Sequence, residues 1–204
     1  MILFCIRKEG DLDNFTPIIH SLSKNYKHNI CIVCSEPAIN YKNDFRIKFL
    51  VKNSNVVYKN IHEIFEFNLF KKLLYFLLFI KNLKQYFKIL KVEKYNIINF
   101  FFNNSKIKKD YYKLNIVVID HVPYKKIFFL NKLLNYKKKI KFKLLSFPHG
   151  LPLLKQHNNQ WDNAKKDIVN ISKNVDKIIL QHVNWHKELE KHEINKNFEI
   201  LGYP

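Results

Sequence analysis

Short apolar runs alternate with stretches of helical periodicity along the whole chain, and that alternation admits few folds. ILFCIR (2–7), NICIVCS (29–35), NIVVID (115–120), FKLLSF (142–147) and KIILQHV (177–183) lack a 3.6-residue period and carry few charges. Such runs read as strands buried on both faces. FRIKFLV (45–51) alternates apolar and polar residues and reads as a third strand nearer an edge; FEILGYP (198–204) reads as a last strand and turn. Between them lie helical patterns. In KEGDLDNFTPIIHSLSKN (8–25), Gly10 breaks the apolar run, Asp11 or Asp13 is the expected cap, and Pro17 is tolerated in a first turn. Residues 61–91 read as a long helix broken once, and 124–139 and 184–194 as two more. The stretches 52–66 and 92–114 give no clear assignment. Strand and helix in turn predict an α/β fold: a Rossmann-like open parallel sheet with helices on both faces. No repeat, linker or boundary divides residues 1–204, so a single domain is expected.

The formal charge of +19 suggests a polyanionic partner. Composition argues against reading it as specific nucleic-acid recognition. Of 36 basic residues only Arg7 and Arg46 are arginine, the residue suited to bidentate phosphate and base contacts. Abundant Lys, Asn, Ile, Phe and Tyr, with scarce Gly and Ala, fit coding bias in an AT-rich genome, and much of the charge is then solvated lysine.

The opening MILFCIRKEGD carries too short an apolar run for a secretory signal, and the longest uncharged apolar run, LLYFLLFI (73–80), cannot span a bilayer. A cytoplasmic protein is expected. Ile80, Leu83, Phe87 and Leu90 recur at helical spacing beside Lys81, Lys84, Lys88 and Lys91. This amphipathic helix is either core-facing with a solvated lysine edge or a peripheral attachment to an anionic membrane surface. Cys31 and Cys34 form a C-x-x-C after His28, but the stretch reads as a strand, where positions three apart face opposite sides. Core cysteines in a reduced compartment are expected, with no metal.

In an open parallel sheet, ligands bind beyond the carboxyl ends of the strands. The residues expected there are Arg7 to Asp11, Ser35 and Glu36, Asp120 and His121, His149 and Gly150, Gln181 and His182, and Gly202 and Tyr203. All three glycines, Gly10, Gly150 and Gly202, fall in this set, where average usage would supply about fourteen along the chain. Gly10 and Gly202 fit either turn chemistry or close approach to a ligand. Around Gly150 the sequence SFPHGLPLLK is richer: Pro148 and Pro152 stiffen both flanks of His149. That histidine can take a proton from a hydroxyl, bond a phosphate or sugar oxygen, or merely cap a loop. Lys155 can add positive charge for a pyrophosphate. Asp120 and His121 form a second titratable pair, on a strand expected to neighbour the one before His149. His182 and His186 lie four apart, but a strand ending at His182 breaks the helical spacing a metal face needs. No G-x-G-x-x-G, Walker loop or G-x-S-x-G is present.

At SFPHGLPLL, followed by KIILQHVNWHKEL and FEILGYP, the chain resembles the GT-B glycosyltransferase superfamily. It is most similar to the branch of bacterial surface-polysaccharide assembly that includes CDP-glycerol glycerophosphotransferase-like proteins. The N-terminal ILFCIRKEGDLDNFTPIIHSL likewise resembles the first strand, loop and helix of a GT-B acceptor domain. The resemblance implies one half of a GT-B fold, the acceptor side. The donor domain, which supplies most nucleotide-sugar contacts, has no counterpart among these residues, so the resemblance implies either a truncated gene or one piece of a split enzyme whose donor half is a separate partner. Taken with the strand-end positions, the expected catalytic residues are His149, Asp120 and His121, and the expected substrate-binding ones Gly10, Asp11, Gly150, Lys155 and His182; of these the resemblance itself carries the His149-Gly150 turn and the segment containing His182. The implied partners are a nucleotide-activated sugar or polyol and a glycan or lipid-linked acceptor. No cofactor is implied. A CDP-glycerol- or ribitol-type phosphotransferase and a non-catalytic binding domain are the alternatives.

Overall fold

The computed structural model describes residues 1–26, 28–35, 40–66, 106–119, 133–134, 137, 140–147, 175–180, 187, 190 and 198–200. The elements run β1 (Ile2–Ile6), α1 (Glu9–Asn25), β2 (Ile30–Cys34), α2 (Phe45–Leu50), β3 (Val56–Asn60), α3 (Ile61–Ile64), β4 (Phe65–Glu66) and β5 (Lys106–Ile107). A 3-10 turn (Lys109–Lys113) follows, then β6 (Ile116–Ile119), β7 (Lys143–Ser146), β8 (Lys177–Leu180) and β9 (Phe198–Ile200). Seven strands form one sheet in the order β3-β2-β1-β6-β7-β8-β9. Every neighbouring pair is parallel. This is the Rossmann-like open sheet that the alternation predicts. The chain builds outward from β1 to β3, then returns to the other side of β1, so the order reverses between β1 and β6. β4 and β5 pair antiparallel in a separate ribbon.

Side-chain alternation divides the sheet into two faces. Ile2, Phe4 and Ile6 of β1, Ile30, Ile32 and Cys34 of β2, and Val118 of β6 pack in one cluster with Leu12, Phe15 and Ile19 of α1. The spacing of those three α1 residues places them on one helical stripe. Phe15 meets Phe4 edge-on at 5.5 Å and Phe147 at 6.1 Å, tying α1 to β1 and to the residue that follows β7. On the opposite face Leu3, Cys5, Cys31, Val33, Val117 and Leu144 are buried, and Tyr111 of the 3-10 turn bonds Cys31 there.

Residues 45–51 do not form a strand. The same alternation fits a short helix, in which Ile47 and Leu50 are buried and Phe45 and Phe49 share the outer side. Asp44 starts that helix by accepting the Arg46 amide at 2.9 Å. The third strand is Val56–Asn60, inside a stretch the sequence left unassigned. The helix expected from residue 61 ends at Ile64, where the chain turns extended into β4; residues 67–91, with the lysine-flanked helix, lie outside the described residues. Pro17 is not in a first turn: α1 begins at Glu9, so Pro17 sits in the helix interior, on the exposed side. There the carbonyl it leaves without an amide donor can turn to water.

Lys141 is the one non-glycine residue with positive φ among the described residues, at 58°. It follows the helical residue Ile140, and its amide returns to the Lys137 carbonyl at 2.9 Å, which closes the helix before β7. Glycine is the usual choice here, because a Cβ crowds the backbone in this conformation. Lys141→Gly is therefore expected to stabilise the protein by about 1 kcal/mol. Urea unfolding measures this as a higher midpoint at unchanged slope.

Candidate functional site

The carboxyl ends of β1, β2, β6 and β7 define the rim where the strand order reverses. β1 ends at Ile6, and only Arg7 and Lys8 separate it from α1. Two residues suffice because Asp11, at the third helical position, folds its carboxylate back over the turn. Its Oδ2 accepts the Arg7 amide at 2.6 Å and the Lys8 amide at 3.3 Å. Asp11 is wholly buried. The N-cap position is thus held by Lys8 rather than Asp11 or Asp13, and Asp11 acts from inside the helix. Gly10 occupies the first turn of α1 in helical conformation. It leaves that turn without a side chain but supplies no break.

A helix N-terminus at the switch point of such a sheet is a ready anion site. Here the protein's own carboxylate supplies the negative charge. The tip of β1 is closed further by Ser35, just past β2: its amide and its hydroxyl both donate to the Ile6 carbonyl, at 2.7 and 3.0 Å.

Both arginines lie beside this turn. Arg46 of α2 donates to Asp44 through Nε at 2.9 Å and through Nη2 at 2.7 Å. Its Nη1 pairs with the Asp13 carboxylate and reaches the Glu9 carbonyl at 3.4 Å. Arg46 therefore ties α2 to the first turns of α1, and its bonds hold the Asp44 carboxyl below the usual range. Arg7 is partly buried, and its Nε has no hydrogen-bond partner among the described residues. Sequence reasoning passed over Arg46. Its rarity in a lysine-rich chain, two residues after a capping Asp44, was the available signal.

On the other side of β1, β6 and β7 end side by side. Ile119 pairs with Ser146, and the Phe147 amide donates to the Ile119 carbonyl at 2.7 Å. The strands before His121 and His149 are neighbours, as expected. Asp120, His121, His149, Gly150, Lys155 and His182 themselves lie outside the described residues. Ser146, missed from sequence, is fully buried at the end of β7, and its hydroxyl has no hydrogen-bond partner among the described residues.

The cysteines are core residues. All three are buried, and none is in a disulfide. Cys34 packs with the α1 cluster and Cys31 lies on the opposite face, so the C-x-x-C spacing splits them across β2. Burial pushes the Cys31 thiol up from 9.0 to about 12, against a hydrogen bond with Tyr111 that lowers it. Burial also raises Cys5, Tyr58 and Tyr111. Among the described residues no group of three or more His, Cys, Asp or Glu could hold a metal ion, and no helix is long and apolar enough to cross a membrane.

Two outcomes follow. Asp11→Ala strands the two partly buried turn amides and is expected to cost about 2 kcal/mol in urea unfolding. For Cys31 the proton is held more tightly in the folded chain. Its stabilising contribution is therefore complete below pH 9.0 and lost as pH climbs toward about 12. The raised tyrosines act in the same direction, so the thermal midpoint is expected to fall across that window; scanning calorimetry from pH 8 upward checks it.

In comparison with known proteins, no protein-family model and no curated protein matches this chain.

Proposed function

We propose that the chain is a glycosyltransferase-like domain of bacterial cell-surface polysaccharide biosynthesis, the acceptor-side half of a GT-B fold. The observation that carries this reading is the pairing of β6 with β7 next to the strand-order reversal. The segments that begin at Asp120 and at Pro148 follow strands that end side by side, at the rim where open α/β sheets bind ligands. The β1–α1 turn supports the reading by exclusion. Asp11 already satisfies the turn amides that would otherwise receive a phosphate, which argues against dinucleotide binding at α1 and shifts the chemistry toward the β6–β7 side.

In this reading His149 takes the proton of an acceptor hydroxyl as its oxygen attacks the activated carbon of the sugar, and the nucleoside diphosphate leaves. Asp120 and His121 orient the acceptor, Lys155 faces the departing pyrophosphate, and Gly150 allows close approach. Gly10 and His182 border the cleft. The acceptor is a glycan or lipid-linked glycan at the cytoplasmic membrane face, and a separate donor-side domain completes the nucleotide-sugar contacts.

The test incubates the full chain, alone and with a donor-side domain, with labelled nucleotide sugars and a lipid-linked acceptor. Transfer is expected, and His149→Ala is expected to lower its rate by about 10²- to 10⁴-fold. An undiminished rate in that variant removes His149 from the mechanism. Release of CMP from CDP-glycerol in place of sugar transfer replaces the reading with a polyol-phosphate transferase. Acceptor binding without turnover of either donor replaces it with a non-catalytic binding domain.

A further inference from the structure

The sheet edge at β3 concentrates exposed apolar surface. Two of the six exposed large apolar side chains among the described residues, Val51 and Val57, stand there, and Phe45 and Phe49 lie on the outer side of the neighbouring α2. A cleft of about 580 Å³ runs between α2 and β3. Val51 and Val57 line it, with Lys42, Lys48 and Lys59 set against a single carboxylate, Glu63. Glu63 lies 3.6 Å from Lys59.

Among the described residues, the backbone along this cleft is open. The Ile30 amide donates to the Asn55 carbonyl at 2.8 Å, and Ile30 is in register with Val56. In a parallel ladder this directs the peptide groups of residues 55, 57 and 59 toward β2 and those of Val56, Tyr58 and Asn60 outward. The Val56 amide is satisfied by the Asn53 carbonyl at 3.0 Å, and the Asn60 amide by Glu63 Oε2 at 2.7 Å. The Tyr58 amide and carbonyl face the cleft, and no described strand pairs with that edge.

Charge and geometry together select the occupant. A second copy of a chain with net charge +19 is repelled from a lysine-lined edge. A bilayer surface attracts lysines and aromatics, but it is not shaped to a cleft and its apolar region cannot bond outward-facing peptide groups. An extended acidic segment meets all three demands: its backbone pairs with Tyr58, alternate apolar side chains meet Val57 on the face away from α2, and the carboxylates between them reach Lys42 and Lys48 on the α2 face. We propose that the edge groove between α2 and β3 docks an acidic, strand-forming segment of a partner protein, which extends the sheet beyond β3. The proposal does not depend on the transferase reading, since it uses the outer edge rather than the central rim.

The experiment uses the full chain and a fluorescein-labelled peptide of about eight residues alternating glutamate and valine, long enough for an added strand. Fluorescence anisotropy is expected to show saturable binding that weakens with salt, and a lysine–valine peptide is expected not to bind. Lys42→Glu with Lys48→Glu should lower the affinity by about tenfold or more, whereas Lys143→Glu, an exposed lysine on β7, should leave it unchanged. Amide exchange at Tyr58 should slow on binding. Edge lysines that serve only to prevent pairing predict no binding of the acidic peptide, and that result overturns the proposal. So does binding that Lys143→Glu weakens equally, binding without slower exchange at Tyr58, or association with phosphatidylglycerol vesicles in place of the peptide.

Discussion

The carboxylate of Asp11 is the constraint from which the architecture follows. Strand β1 lies inside the sheet, between β2 and β6, with every residue buried. Its exit into α1 takes two residues, and the amides of both would be left without acceptors if the helix turned away alone. One buried carboxylate oxygen satisfies both. With the turn fixed, α1 lies back along β1, and Phe15 reaches both Phe4 and Phe147. The same group places a negative charge at the start of α1, which disfavours an external anion there. Fold and site selection thus rest on one side chain.

Arg46 extends this anchoring outward. A guanidinium that holds Asp44 through two nitrogens and Asp13 through the third couples the start of α2 to the start of α1. The coupling is charge-assisted and shielded, since the Arg46 side chain is only 12% exposed, although Asp13 remains largely in solvent. The crossover from β2 to β3 is held over the sheet by this link and by the buried Ile47 and Leu50. Farther along, Asp176 bonds the Leu144 amide at 2.6 Å and pairs with Lys137, which fixes the entry into β8 against β7.

The strands were legible because a sheet buried on both faces leaves uncharged runs that no other element produces at that length. ILFCIR, NIVVID and FKLLSF each contain their strand, trimmed by one or two residues. Residues 45–51 misled because seven residues are too few to separate period two from a short helix: Phe45, Ile47 and Phe49 alternate with Arg46 and Lys48 as a strand would, whereas the helix capped by Asp44 turns Ile47 and Leu50 inward and Phe45 and Phe49 outward. β3 was hidden for the opposite reason. As an edge strand it carries Lys59 and Asn60 and exposes Val57, so it lacks the apolar run. Of the candidate site, the neighbouring strands before His121 and His149 could be anticipated from chain order alone. The inward fold of the Asp11 carboxylate could not, because D-x-D near a helix start does not say which carboxylate turns back.

The buried thiols carry a consequence for the chain once it opens. Folded, Cys5, Cys31 and Cys34 are sealed inside the sheet, on both of its faces. Three is an odd number, so an oxidised unfolded chain that closes one internal disulfide keeps a sulfhydryl available to another molecule. The separation of Cys31 and Cys34 across β2 also means that a bridge between them cannot be carried back into the native sheet. Loss of structure in air is therefore self-reinforcing for this protein, and reductant acts on its refolding yield rather than on the folded molecule.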